Sequence, residues 1–188
     1  MKKALYALLL GGMLLLAPQL HAQTGSDAPI GYSERVPVEA AEQSRLYTRA
    51  LAWTEHQFAY APKLNVKTDA TAGTVRLTGT GRLKTVDTKG KDQELPVEFM
   101  FQFRATETGY EYSVGSFHVR PNAAQPDQVV ALDEYLALLR VERSNARTHN
   151  DRRIAAQATS LASEAALSFR SFMNSQPAEG EANQSSEH

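Results

Sequence analysis

Between Lys63 and Arg120 apolar residues recur at every second position, whereas on either side of that block they recur at every third or fourth. Those two periods predict a run of strands flanked by helices. The clearest strand is ELPVEFMFQFR, in which Leu95, Val97, Phe99, Phe101 and Phe103 point one way. A strand from about Thr74 to Val86, with Val75, Leu77 and Leu83 in phase, precedes it across the polar turn DTKGKD. KLNVKTD, carrying Leu64 and Val66, predicts an earlier strand closed by the turn DATAG. YEYSVGSFHVR predicts a later one after TETG, interrupted at Gly115. Four consecutive strands with short turns make an antiparallel meander that is hydrophobic on one face.

Upstream, SERVPVE has strand character through Val36 and Val38, and Pro37 points to an edge position. A helix is expected over 39–58, with Leu46, Tyr47, Ala50, Leu51, Thr54 and Phe58 on its apolar stripe and Trp53 at the stripe's flank. Downstream, Asp133 is expected to cap EYLALLRVER. A basic stretch, SNARTHNDRR, then leads into a helix with Ile154, Ala158, Leu161, Ala162, Ala165, Phe169 and Phe172 on one face. The order β-α-β-β-β-β-α describes a two-layer α+β domain, an antiparallel sheet with helices on one face, over residues 31–174. Residues 23–30 read as a flexible leader. Residues 175–188 lack periodicity and bulk and are expected to be a disordered tail.

The first 22 residues add a compartment. Lys2 and Lys3 precede an almost unbroken apolar run, Ala4 to Ala17, and Pro18 and Leu20-His21-Ala22 follow it. That is the layout of a secretory signal peptide cleaved near Ala22, too short to span a bilayer. The reading implies a periplasmic or secreted protein with no transmembrane segment after cleavage. The absence of cysteine leaves the fold without disulfides, so the core must supply the stability. Losing Lys2 and Lys3 lowers Lys+Arg from 20 to 18 against 21 Asp+Glu, a mildly acidic balance that argues against nonspecific nucleic-acid binding.

The Val-Pro-Val strand, the Leu-Tyr-x-Arg-Ala-x-x-Trp helix at 46–53 and the G-T-V-x-x-x-G-x-G strand from Gly73, followed by the Phe-rich strand, occur here in a fixed order. From about Tyr32 to Arg120 this order resembles the DUF4468 group, exported bacterial proteins found largely in Bacteroidetes. The resemblance implies a TBP-like fold and an exported location. It supplies no activity and no catalytic residues, and a TBP-like topology does not by itself imply DNA binding.

Candidate chemistry is sparse. Gly79 and Gly81 in RLTGTGRLKT sit inside a strand and lack the third glycine and following helix of a dinucleotide loop. They share the face of Val75, Leu77 and Leu83, so they are expected to let a helix approach or the sheet bend. The opposite face shows Arg76, Thr78, Thr80, Arg82 and Lys84 beside Glu98, Met100, Gln102 and Arg104. Arg76, Arg82, Lys84 and Arg104 are therefore the candidate ligand residues, for an anion or polysaccharide, against the plainer reading of a solvated face with cross-strand charge pairs. Arg140, Arg143, Arg147, Arg152 and Arg153 concentrate charge near the second helical region, at a solvated junction or a contact with lipid head groups or an acidic partner. His56, His118 and His149 show no metal-ligand spacing, and no cofactor motif is present. A small hydrolase would need His118 or His56 in a pocket beside a carboxylate and a hydroxyl. Glu94 and Glu98 read as guards against edge aggregation of VEFMFQF.

These features describe an exported, non-enzymatic envelope module that binds a protein or small ligand; a small hydrolase, or an anionic-polymer binder on the open sheet face, is the alternative. Mass spectrometry of the exported protein is expected to give Gln23 as the first residue, and an intact Met1–Ala22 segment would refute the cleavage.

Overall fold

The computed structural model describes residues 29–175 apart from 41, 123 and 126. The expected signal peptide, residues 23–28 of the expected leader and residues 176–188 of the expected tail lie outside the described residues. The chain runs β1 (Tyr32–Pro37), α1 (Gln43–His56), β2 (Leu64–Asp69), β3 (Thr74–Val86), β4 (Asp92–Thr106), β5 (Gly109–Val119), β6 (Val130–Ala131), α2 (Leu132–Val141), α3 (Asn145–Thr148) and α4 (Asn150–Asn174). The strands form one antiparallel sheet in the order β1-β5-β4-β3-β2, and the two-residue β6 extends the β1 edge by pairing with β5. The meander, the edge position of β1 and the α+β class are as the periodicity predicts.

Alternation decides which face is buried. Leu95, Val97, Phe99, Phe101 and Phe103 of β4 are all buried, and so are Val75, Leu77 and Leu83 of β3. Onto this face pack Ala50, Trp53 and Thr54 of α1, and Ile154, Ala158, Leu161, Ala162, Ala165, Ala166 and Phe169 of α4. The four alanines leave α4 little width on its inner side, which favours close approach to the sheet. Phe169 touches more rings than any other aromatic, reaching Trp53, Phe101, Phe103, Tyr110 and Tyr112 at centroid separations from 4.7 to 6.0 Å.

Several details depart from the sequence reading. Trp53 is central to the buried face of α1, at 1% exposure, while Leu46, Tyr47 and Leu51 are only half-buried. The helix ends at His56, and the N–H groups of Gln57 and Phe58 both donate to the Trp53 carbonyl, at 2.9 and 3.0 Å. Phe58 therefore returns to the core from a turn and meets the Trp53 ring edge-on at 5.3 Å. In β2 the register slips between Leu64 and Lys67, with Asn65 at φ 51°, so Leu64 pairs with Thr78 and Val66 stays 52% exposed. Asp133 is not the cap of α2; it lies in the first turn after Ala131 and there favours the helix dipole. The continuity of the C-terminal helical stretches, which the sequence leaves open, is broken because Glu142 is extended and His149 is left-handed. Strand β4 is central rather than an edge, so in the folded protein Glu94 and Glu98 are not edge guards.

The exposed edge is managed elsewhere. Strand β2 covers β3 only as far as Thr78, and beyond it two α4 amides take the place of a strand. The Lys84 N–H donates to Gln157 Oε1 and Gln157 Nε2 donates to the Lys84 carbonyl, each at 2.8 Å. Asn150 repeats the pattern two residues on, accepting from the Val86 N–H at 3.1 Å and donating to its carbonyl at 2.9 Å. Satisfying these groups removes part of a template for edge-to-edge association.

The two strand glycines face the helices, as expected, but they serve different neighbours. A Cβ on Gly79 would stand 2.6 Å from Phe99 Cζ and 2.7 Å from Phe58 Cζ, whereas one on Gly81 would stand 3.3 Å from Leu161 Cδ1. Gly79 is thus a notch filled by two rings, and Gly81 a tight but passable contact with α4. Gly79→Ala is expected to cost about 1–3 kcal/mol by overpacking and Gly81→Ala less than about 1 kcal/mol. Denaturant midpoints of the two variants test this, and equal midpoints would mean that the Phe58 and Phe99 rings yield freely.

Candidate functional site

The face of the sheet opposite the helices is built in cross-strand rows that follow from register. One row reads Arg35, Glu111, Arg104, Thr74 and Asp69 from β1 to β2. The next reads Ser33, Ser113, Gln102, Arg76 and Lys67. Beyond Met100 and Thr78 come Glu98 and Thr80, then Pro96 and Arg82, then Glu94 and Lys84. The members of the first two rows on β1, β5, β4 and β3, without Asp69 and Lys67 of β2, line a concavity of about 550 Å³, whose polar side chains include Ser33, Arg35, Arg76, Gln102, Arg104 and Glu111.

The four residues singled out from sequence therefore divide. Arg76 and Arg104 are brought together in the concavity. Arg82 and Lys84 lie toward the other end of β3, outside it, and Arg82 Nη1 binds Glu94 Oε2. Arg35, Glu111 and Ser113 join the site through the pairing of β1 with β5 and β5 with β4. The alternation in SERVP sets Arg35 opposite Val36, which gives its face; only the long-range pairing gives its neighbours.

Charge in the concavity is unbalanced. Glu111 is shared, with Oε2 3.0 Å from Arg35 Nη2 and Oε1 3.9 Å from Arg104 Nη1. Both pairs are exposed, and such pairs contribute about 0–1 kcal/mol, so they orient the arginines more than they stabilise the fold. Arg76 has no carboxylate within ion-pair distance among the described residues. Its Nε donates to Met100 Sδ at 2.9 Å, and Gln102 Nε2 donates to the same sulfur at 2.8 Å. Three guanidinium groups thus face one carboxylate, beside the hydroxyls of two serines and a side-chain amide. That set suits an anion that also offers hydroxyl groups.

Behind this end of the sheet, on the helix side, Glu34 closes the gap between β1 and α4. It accepts from Tyr112 Oη at 2.7 Å, Arg170 Nη1 at 3.0 Å and Tyr32 Oη at 3.1 Å. The Tyr112 hydrogen bond is the main reason that its carboxyl sits below the usual range, with Tyr32 and Arg170 adding to it against the opposing effect of burial. Burial, then the bond to Glu34, pushes the Tyr112 phenol well above its ordinary range. The neighbouring Tyr110 hydroxyl is buried, and burial raises its phenol as well, against the lowering effect of Arg170.

A second concavity, about 290 Å³, lies where β5 bulges, between Ile30, Ser116, Phe117, His118, Leu132 and Asp133. It contains the residue types a hydrolase would need, but their bonds do not form a relay. His118 Nδ1 lies 2.9 Å from the Ser116 backbone carbonyl, which can only accept, so that nitrogen is the donor. No described hydrogen bond links His118 to Asp133 or to the Ser116 hydroxyl. His56 is exposed beside Glu55, at 3.9 Å. Among the described residues no three His, Cys, Asp or Glu side chains gather as a metal site.

Comparison with known proteins bears on the scaffold. The model of a domain of unknown function (DUF4468) with TBP-like fold matches residues 32–120, which span β1 through β5. A crystal structure of a DUF4468 family protein from Bacteroides ovatus superposes with TM-score 0.58 and 9% identity, over 81% of this chain and 90% of that one. A TBP-like protein from Parabacteroides distasonis superposes with TM-score 0.51 and 14% identity, over 78% of this chain and 94% of that one. At those identities the likeness is one of fold. No curated protein matches the chain.

The Glu34 cluster gives the fold an acid-sensitive contact. A carboxyl whose folded pKa is depressed stabilises above its unfolded value and loses that contribution as pH falls through the folded value. Stability is thus expected to decline as pH drops below about 4.5. Glu34→Gln is expected to cost about 1–2 kcal/mol at neutral pH by weakening three hydrogen bonds, with the gap to wild type narrowing in acid. Urea denaturation between pH 3 and 7 measures this, and parallel curves for the two proteins would remove Glu34 from the account.

Proposed function

Since residues 32–120 are a DUF4468 domain with the TBP-like fold, a family description that names no activity, we propose from the surface chemistry that this chain is a non-enzymatic binding module of the cell envelope. Its ligand is an acidic saccharide, held on the open face of the sheet. The observation that carries the reading is the concavity of about 550 Å³ in which Arg35, Arg76 and Arg104 share the outer face with Glu111, while Glu34 of the lining turns to Arg170 on the helix side. That volume falls in the range of small-molecule sites, roughly 300–1,000 Å³. Arginine forks bind carboxylate or sulfate in two-point fashion, and Ser33, Ser113 and Gln102 supply partners for sugar hydroxyls.

Paired strands fix the backbone from which these side chains project, so no loop need be ordered on binding. The envelope location rests on the signal-peptide pattern of residues 1–22.

A heparin-derived tetrasaccharide titrated into isotope-labelled protein is expected to shift the side-chain resonances of Arg76, Gln102 and Arg104. The double variant Arg76→Ala/Arg104→Ala is expected to weaken binding at least about tenfold, because charge-assisted hydrogen bonds are the stronger kind. Arg82→Ala/Lys84→Ala serves as the control and is expected to bind as wild type. Shifts confined to residues 140–153, or equal loss in both double variants, would overturn the reading.

A further inference from the structure

Ion pairs are unevenly distributed among the arginines of this protein. On or beside the sheet, Arg35, Arg82, Arg104, Arg120 and Arg170 each form an ion pair with a glutamate. At the elbow from α2 through α3 to the start of α4, Arg140, Arg143, Arg147, Arg152 and Arg153 are all exposed, and none has an ion pair among the described residues. Residues 140–153 hold these five arginines against Glu142 and Asp151, a net of +3 in a chain whose overall formal charge is −1.

The two acids offset only part of the field: Glu142 Oε2 accepts from the Ser144 hydroxyl at 3.1 Å, and the partly buried Asp151 attracts Arg152 and Arg140. Arg152 and Arg153 also stand in the first turn of the 25-residue α4, the end of a helix where cations are disfavoured by the macrodipole.

Apolar surface accompanies the charge. On α2, Leu132, Leu136 and Leu139 are buried, yet Leu138 is 57% exposed and Val141 81% exposed. These two are three residues apart, so they are neighbours on one helix surface, with Arg140 between them in sequence. This exposed aliphatic pair lies on the helix surface between Glu134 and Glu142, and together with the arginines of the elbow it offers a bilayer surface both an apolar contact and head-group contacts. A soluble acidic polymer would engage the arginines and leave Leu138 and Val141 wet.

We propose that the α2–α3–α4 elbow docks this protein on anionic lipid bilayers, with Val141 and Leu138 entering the interface and the five arginines binding head-group phosphates. Clusters of four to eight basic residues suffice for such attraction, each contributing about 1 kcal/mol near the surface. The sheet lies elsewhere in the molecule, and this docking does not depend on the ligand proposed for it.

Vesicle co-sedimentation tests the inference with the full mature chain. The protein is expected to partition onto phosphatidylcholine vesicles containing 30% phosphatidylglycerol at low salt, roughly the anionic regime in which such clusters act, and not onto pure phosphatidylcholine. Arg143→Ala/Arg147→Ala is expected to lower the partition coefficient about 30-fold, the equivalent of about 2 kcal/mol for two arginines. Val141→Asp is expected to reduce it as well, while Arg76→Ala/Arg104→Ala leaves it unchanged. Because all of these side chains are exposed, circular dichroism should report wild-type folding in each variant. No binding to anionic vesicles overturns the proposal. Binding that ignores Val141→Asp while following the arginines also overturns it, in favour of a soluble acidic partner.

Discussion

Phe169 is the contact on which the rest of the structure depends. It comes from α4, more than 60 residues in sequence beyond the Phe-rich strand, and sets one ring among Trp53 of α1, Phe101 and Phe103 of β4, and Tyr110 and Tyr112 of β5. Each aromatic pair adds about 0.5–1.5 kcal/mol beyond the area it buries. The greater consequence is geometric. A sheet that is apolar on one face must be covered, and the ring cluster fixes which helices cover it and where. With no disulfide in the chain, this packing substitutes for a covalent constraint.

Coverage of one face leaves the other as the place for chemistry. The outer rows are polar because the pleat sends every second residue there, and their order is set by the registers that align β1, β5, β4 and β3. Arginine and glutamate alternate across the first row, Arg35, Glu111, Arg104, which holds each side chain near a partner. Arg76, one row in, meets the Met100 sulfur instead of a carboxylate. A soft, uncharged neighbour positions the guanidinium without neutralising it. That asymmetry separates a candidate ligand-binding surface from an ordinary solvated face.

Helix α4 has two further roles. Through Gln157 and Asn150 it satisfies part of the edge of β3 that β2 leaves uncovered, and through Arg170 it reaches Glu34 on β1 at the opposite edge. One helix thus crosses the whole sheet and is fixed at both sides by polar contacts and in the middle by Phe169. Its first turn, by contrast, holds the exposed Arg152 and Arg153, which form no ion pair among the described residues.

The sequence by itself determined the strands, their antiparallel meander, the buried face and the edge position of β1, because period-two patterning and short turns are local properties. It also determined that Gly79 and Gly81 face the helices, since parity along a strand needs no tertiary knowledge. What it could not determine was anything set by distant partners. Trp53 is central because Phe58 and Phe169 converge on it, one from a turn and one from α4. The phase of Val66 was lost to a bulge, which inserts residues that a strict period cannot anticipate. Of the arginines and lysine visible on the outer face, only the pairing of β5 with both β1 and β4 decided that Arg76 and Arg104 share a concavity with Arg35, and that Arg82 and Lys84 do not. Faces are fixed by neighbours in sequence, and sites by neighbours in space.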